Sequence, residues 1–145
     1  TIRLFEERPM FGWGPGTYQF VYAPMQRAKE KTIISTDFGD GGNAHSEYLG
    51  PLAERGVFGI LSFILIAITI LMTGVKAYKR EKDPTTKILI MGILIAFVTY
   101  FLHGFLNNFL DTDKASVPFW GFAAILVVLD IKSRNESSQK KITEK

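Results

Sequence analysis

Runs of uncharged apolar residues constrain this chain more than any other feature. Residues 57–75 and 88–110 contain no Asp, Glu, Lys or Arg. With a rise of 1.5 Å per residue, about 19 and about 23 residues both suffice to cross a hydrocarbon core ~30 Å thick. A third run, 117–129, is shorter at about 13 residues, and we read it, extended through Ile131, as a short span over 117–131. Pro118 suits a first helical turn there, and Trp120 suits an interfacial belt. The bilayer core offers backbone N–H and C=O groups no outside partner, so such runs must satisfy themselves as helices. The fold class is therefore an all-α polytopic membrane protein: an outer-face loop region followed by two or three transmembrane helices.

Charge then sets the expected orientation. Lys76, Lys79, Arg80, Lys82 and Lys87 crowd the 76–87 loop against Glu81 and Asp83. The 132–145 tail carries Lys132, Arg134, Lys140, Lys141 and Lys145, whereas the 111–116 loop holds one lysine and two aspartates. Basic flanks stay cytoplasmic. The 76–87 loop and the tail are thus expected inside, and residues 1–56 and 111–116 outside. The tail, "SRNESSQKKITEK", reads as solvated and disordered. The net charge of +3 resolves into these membrane-flanking blocks, and nucleic acid is not an expected partner. The chain begins at Thr1, and residues 1–11 lack the character of a signal peptide. It reads as a C-terminal piece of a longer polypeptide.

Residues 1–56 read as folded. "RPMFGWGPGTYQFVYAP" is rich in aromatics, and Gly12, Gly14, Pro15 and Gly16 mark tight turns. The same glycines lack the strand, helix and lysine of a phosphate-binding loop. Residues 26–31 suit a short exposed helix. "DFG" at residues 37–39 stands without any other kinase element. The chain has no cysteine, which excludes disulfides and cysteine-based chemistry.

Two histidines remain as candidates for chemistry. His45 lies in the polar loop "DFGDGGNAHSEYLG", about ten residues before the first apolar run. Three readings are open to it: a polar surface residue, a metal ligand, or a general base. A metal would need His103, Glu47, Asp37 or Asp40 as partners. As a side-chain type, histidine exchanges protons near neutral pH without further help. Its place beside the membrane mouth suits a meeting of a water-soluble and a lipid-bound reactant. His103, Asn107 and Asp111 are spaced i, i+4, i+8, which on an uninterrupted helix would put them on one face. Such a stripe fits either helix packing or a site. Arg3, Arg8, Arg27 and Arg55 all fall on the expected outer side, where guanidinium groups suit either the surface or a diphosphate.

Several of these segments together resemble the O-antigen ligase and polymerase superfamily. His45-Ser46, nine residues, Gly56, two residues and Gly59 resemble that family's His-[Asn/Ser/Gln]-x9-Gly-x-x-Gly signature. "ERPMFGWGPGTYQ" is similar to its upstream P-x-x-G-x-G-x-G segment, and "NAHSEYLGPLAERGVFGIL" to its histidine loop. "FLHGFLNNFLDTD…PFWGF" resembles the end of its domain.

The resemblance implies a multi-pass protein of the bacterial inner (plasma) membrane with its active face periplasmic or extracellular. It implies transfer of a glycan from an undecaprenyl-diphosphate-linked donor to a glycan or lipid A–core acceptor, with no cofactor and no metal. His45 would be the general base, and Glu54 would orient it or an acceptor hydroxyl. Substrate would be bound among Asn43, Ser46, Arg3, Arg8, Arg27, Arg55, His103 and Asn107. Gly12, Gly14, Gly16, Gly56 and Gly59 would be structural. Relatives of this kind carry further N-terminal spans, so the lipid cavity is expected to need them and this segment alone to be inactive. The competing class is a membrane transporter or permease subunit, with the His103–Asn107–Asp111 stripe lining its path.

Overall fold

A computed structural model describes residues 1–27, 43–111 and 113–143. It is all-α: α1 (Ile2–Glu7), α2 (Tyr18–Met25), α3 (Leu49–Arg80), α4 (Pro84–His103), a 3-10 turn (Phe109–Asp111) and α5 (Asp113–Thr143). Three of these helices, α3, α4 and α5, are long and apolar enough to cross a membrane. The protein is a membrane protein of the class expected.

Each span differs from its expected bounds for a local reason. α3 starts before residue 57, because Ser46 Oγ accepts the N–H groups of Tyr48 and Leu49 and initiates a turn there. α4 begins at Pro84 because Asp83 caps it. Asp83 Oδ2 accepts from Thr86 N–H at 2.7 Å and Oγ1–H at 2.8 Å, and Pro84 needs no N–H at the first position. α4 then ends at His103, well short of residue 110, at the buried Gly104.

α5 is longer than the 117–131 span, and the 132–145 tail is helical to Thr143 rather than disordered. Pro118 consequently sits inside α5 and past its first turn. Pairs at i, i+4 support the extension: Arg134 Nη2 donates to Asp130 Oδ2 at 2.9 Å, and Lys132 lies 3.9 Å from Glu136. The N-terminal region holds α1 and α2, and of the helix expected over residues 26–31 only 26 and 27 are described. Gln26 is already extended, and residues 28–31 lie outside those described.

The chain divides into two compact units. One comprises Thr1–Leu65 with His103–Asn108; the other comprises Ile66–Leu102 with Phe109–Lys145. The second unit is a three-helix assembly whose core is Ala77, Ile90, Ile93, Phe97, Phe101, Phe119 and Leu126. Gly74 lets α3 approach α4 and α5 closely. A Cβ there would meet Leu94 Cδ2 at 2.5 Å and Leu126 Cδ1 at 3.2 Å. Phe119 lies edge-on to Phe97, with centroids 5.2 Å apart. Large aliphatic side chains such as Ile88, Ile95, Val98 and Leu102 point outward and are exposed, as lipid-facing residues are.

At the basic end of this unit a buried carboxylate ties two helices together. Asp130 is paired with Arg80 of α3 and with Arg134 of its own helix. The adjoining α3–α4 turn is held by Glu81, whose Oε1 accepts the N–H groups of Lys82 and Asp83 at 2.7 and 3.0 Å. The Asp83 and Lys82 N–H bonds lower the Glu81 pKa against the opposing effect of burial. A lowered folded-state pKa makes this stabilisation complete above the ordinary carboxylate range. It is lost as pH falls through the lowered value, and faster amide exchange at Lys82 and Asp83 in acid would register that loss. Asp130→Asn should cost about 2 kcal/mol in unfolding from detergent micelles. It removes two charge-assisted bonds, but Arg80 and Arg134 are partly exposed and can rehydrate.

Candidate functional site

The first unit is built around a corner at Gly56. Residues 49–55 form one short helical segment, and Gly56 (φ 64°, ψ −155°) breaks it before the apolar helix continues. That conformation is open only to glycine. Gly59 lies under the corner, where a Cβ would sit 2.5 Å from Arg55 Cβ and 2.7 Å from the Pro51 carbonyl oxygen. The Gly-x-x-Gly spacing is therefore a steric requirement of the turn.

The glycine-rich stretch near the N-terminus clasps this corner. Val57 N–H donates to Pro9 C=O at 2.8 Å, Trp13 N–H to Ala53 C=O at 3.2 Å, and Gly14 N–H to Glu54 C=O at 2.8 Å. The close approach is reciprocal. A Cβ on Gly12 (φ 66°) would lie 2.5 Å from Arg55 N and nearer still to the Glu54 carbonyl. A Cβ on Gly56 would lie 2.5 Å from Pro9 O and closer to Met10. Beneath the clasp, Leu4, Tyr18 and Ala53 are buried, and Trp13 Nε1–H donates to Leu4 C=O at 2.8 Å. Burial raises the Tyr18 pKa, against the hydrogen bond with Thr1. The phenol stays neutral.

His45 lies one short helical segment before this corner, exposed and with its backbone left-handed, at φ 44°. Histidine tolerates that region better than most residues. Asn43 Oδ1 holds the turn by accepting His45 N–H at 3.1 Å. Ser46 is buried, and its Oγ–H donates to Gly104 C=O at 3.3 Å while the oxygen caps the helix that follows. Glu47 N–H is shared between Gly104 C=O at 2.8 Å and Asn107 C=O at 3.2 Å. The histidine loop is thus fastened to the turn that follows α4. Tyr48 completes the attachment, stacking on Phe105 with centroids 4.3 Å apart and meeting Phe63 edge-on at 5.3 Å. Burial, and then the Glu47 charge, raise the Tyr48 pKa.

The sequence candidates divide accordingly. Asn43, Ser46 and Asn107 gather around the His45 backbone, although Ser46 is occupied by the cap and by Gly104. His103 is exposed as the last residue of α4. Because the helix stops there, the His103–Asn107–Asp111 stripe does not exist as one helix face. Glu54 Oε1 accepts Tyr18 N–H at 3.1 Å at the start of α2. The arginines stay on separate segments: Arg3 on α1, Arg8 with its guanidinium 4.1 Å above the Trp13 ring, Arg27 past α2, and Arg55 exposed at the corner. Asp37 and Asp40 lie outside the described residues, among which no group of three His, Asp or Glu side chains could hold a metal ion. Phe63 and Phe105 carry parts of the site that spacing alone did not reveal, and Glu47, weighed in the sequence only as a metal partner, contributes its backbone N–H.

Gly12 and Gly16 differ in a way that measurement can separate. Gly16 (φ 73°) has nothing within 4 Å of a would-be Cβ, so Gly16→Ala should cost only about 1 kcal/mol of left-handed strain. Gly12→Ala and Gly56→Ala add a collision with backbone and should cost more than about 3 kcal/mol each in thermal unfolding.

No family model and no solved structure matches the chain. It is similar, at 28% identity over 123 residues, to an uncharacterized protein of Haemophilus influenzae, an alignment that covers 83% of this chain. The same alignment covers 29% of that protein, so the chain spans less than a third of the length of the relative it matches.

Proposed function

We propose that this chain carries the acceptor-activating histidine of a membrane glycosyltransferase of the O-antigen ligase or polymerase kind. The observation that best supports this reading is His45 itself. Its imidazole is exposed on a loop braced by Asn43, Ser46 and the turn after α4, one short helix from the corner that opens an apolar span. A group so held can serve a reaction in which one substrate stays anchored in the bilayer.

In that reaction His45 accepts the proton of the acceptor hydroxyl as its oxygen attacks the anomeric carbon. The bond to the undecaprenyl diphosphate oxygen breaks, configuration inverts, and the diphosphate leaves with the bonding pair. Cationic side chains near the corner, Arg8 and Arg55 among them, suit the charge that builds on the leaving group. The leaving group is already activated, so the chemistry requires no nucleotide or metal. The acceptor is lipid A–core or a growing glycan. The positive-inside pattern supports a bacterial inner-membrane location with His45 on the outer face.

The test uses the intact parent gene, removed from its host and returned with or without His45→Ala. Transfer should fall about 10²-fold or more at normal expression, with undecaprenyl-linked glycan accumulating, as mass spectrometry would read. Single-repeat glycans on gels would mark a polymerase, and long unattached chains a ligase. Normal surface glycan from the variant would overturn the reading.

A further inference from the structure

Phe11 is 77% exposed, although its ring lies on another aromatic ring. Its partner is Phe58, with centroids 5.6 Å apart, and Phe58 is the second residue after the Gly56 corner. Phe11 therefore sits at the depth of the first turn of the apolar helix. The loop cannot withdraw from that depth, because Val57 N–H holds Pro9 C=O and Gly12 and Gly56 press on each other's flanking backbone. Met10, also exposed, adjoins it.

We propose that the Met10–Phe11 loop is a lipid anchor, seated at the headgroup–acyl boundary of the bilayer leaflet on the Gly56 side of α3. The surface it extends is already one suited to lipid. Phe58, Leu61 and Leu65 recur at steps of three and four along the start of α3 and are all exposed. Phe11 continues this exposed apolar face past the end of the span.

The polar flanks fit the same occupant. Arg8 and Arg55 are exposed beside the loop, at the level where phospholipid phosphates lie. Trp13, under the Arg8 guanidinium, is the residue type that settles at this interface. Anchoring here fixes the height of the clasped corner, and with it the His45 loop, relative to the membrane surface. The inference rests on the membrane placement of α3 and stands apart from the glycosyl-transfer reading.

Because the chain has no cysteine of its own, Phe11→Cys in the intact protein, with any cysteine elsewhere replaced by serine, gives a clean probe. It would carry an environment-sensitive fluorophore in nanodiscs of phosphatidylethanolamine and phosphatidylglycerol containing doxyl-labelled lipid. The expected result is a blue-shifted emission, quenched more by a shallow than by a deep doxyl group, together with loss of reactivity toward a membrane-impermeant thiol reagent. Gln19→Cys, exposed on α2, is the aqueous reference. A Phe11 cysteine as reactive as the Gln19 one would overturn the proposal. So would one shielded from the reagent yet unquenched by either lipid, which would mean that protein covers the loop.

Discussion

The reciprocal backbone contact between residues 9–14 and 53–57 is the constraint on which the first unit depends. The two segments approach so closely that neither Gly12 nor Gly56 can carry a Cβ. Three backbone hydrogen bonds close the gap and satisfy groups that the break in α3 would otherwise leave without partners. Glu54 contributes twice, through its carbonyl to Gly14 and through its carboxylate to the first turn of α2. The small core of Leu4, Tyr18 and Ala53 adds apolar burial. With so few buried side chains, the hydrogen bonds and the glycine geometry specify the arrangement more than hydrophobic area does.

The second unit obeys a different solvent. Where lipid replaces water, apolar surface gains little by facing inward, so packing depends on fit and on buried polar pairs. Gly74 supplies the fit by admitting Leu94 and Leu126. Asp130 supplies the pair, and its two arginines leave neither carboxylate oxygen unmatched. A carboxylate in this setting needs such partners, because an isolated charge there would be costly.

The site combines rigidity with exposure. His45 occupies a conformation that costs backbone energy, and the cost is met locally by the Asn43 turn and the Ser46 cap. The turn after α4 then fixes the loop from the other side through Gly104, Asn107 and Phe105. These bonds hold the backbone of the loop, and His45 itself is left exposed.

Apolar runs made the membrane class and the central parts of the helices legible in the sequence, because an unbroken uncharged run has few other solutions, but the short third run left the count at two or three. The glycines near Trp13 were also visible as turn formers, and Gly56 and Gly59 as structural positions that the resemblance implied. What Gly12 and Gly56 press against was not visible, since a steric demand between residues more than forty positions apart leaves no local periodicity. The helix ends were misplaced for the same reason. An apolar run through residue 110 looks like membrane, yet α4 ends at His103, where the carbonyl of Gly104 turns to Ser46 and Glu47. The polar tail looked disordered because low hydrophobicity resembles disorder, whereas i, i+4 ion pairs and good helix formers carry α5 onward. The sequence by itself determined which segments enter the membrane, because transfer free energy is a sum over residues. Only the tertiary structure decided where those segments bend and which loop holds the histidine, because both depend on contacts between parts of the chain that are distant in sequence.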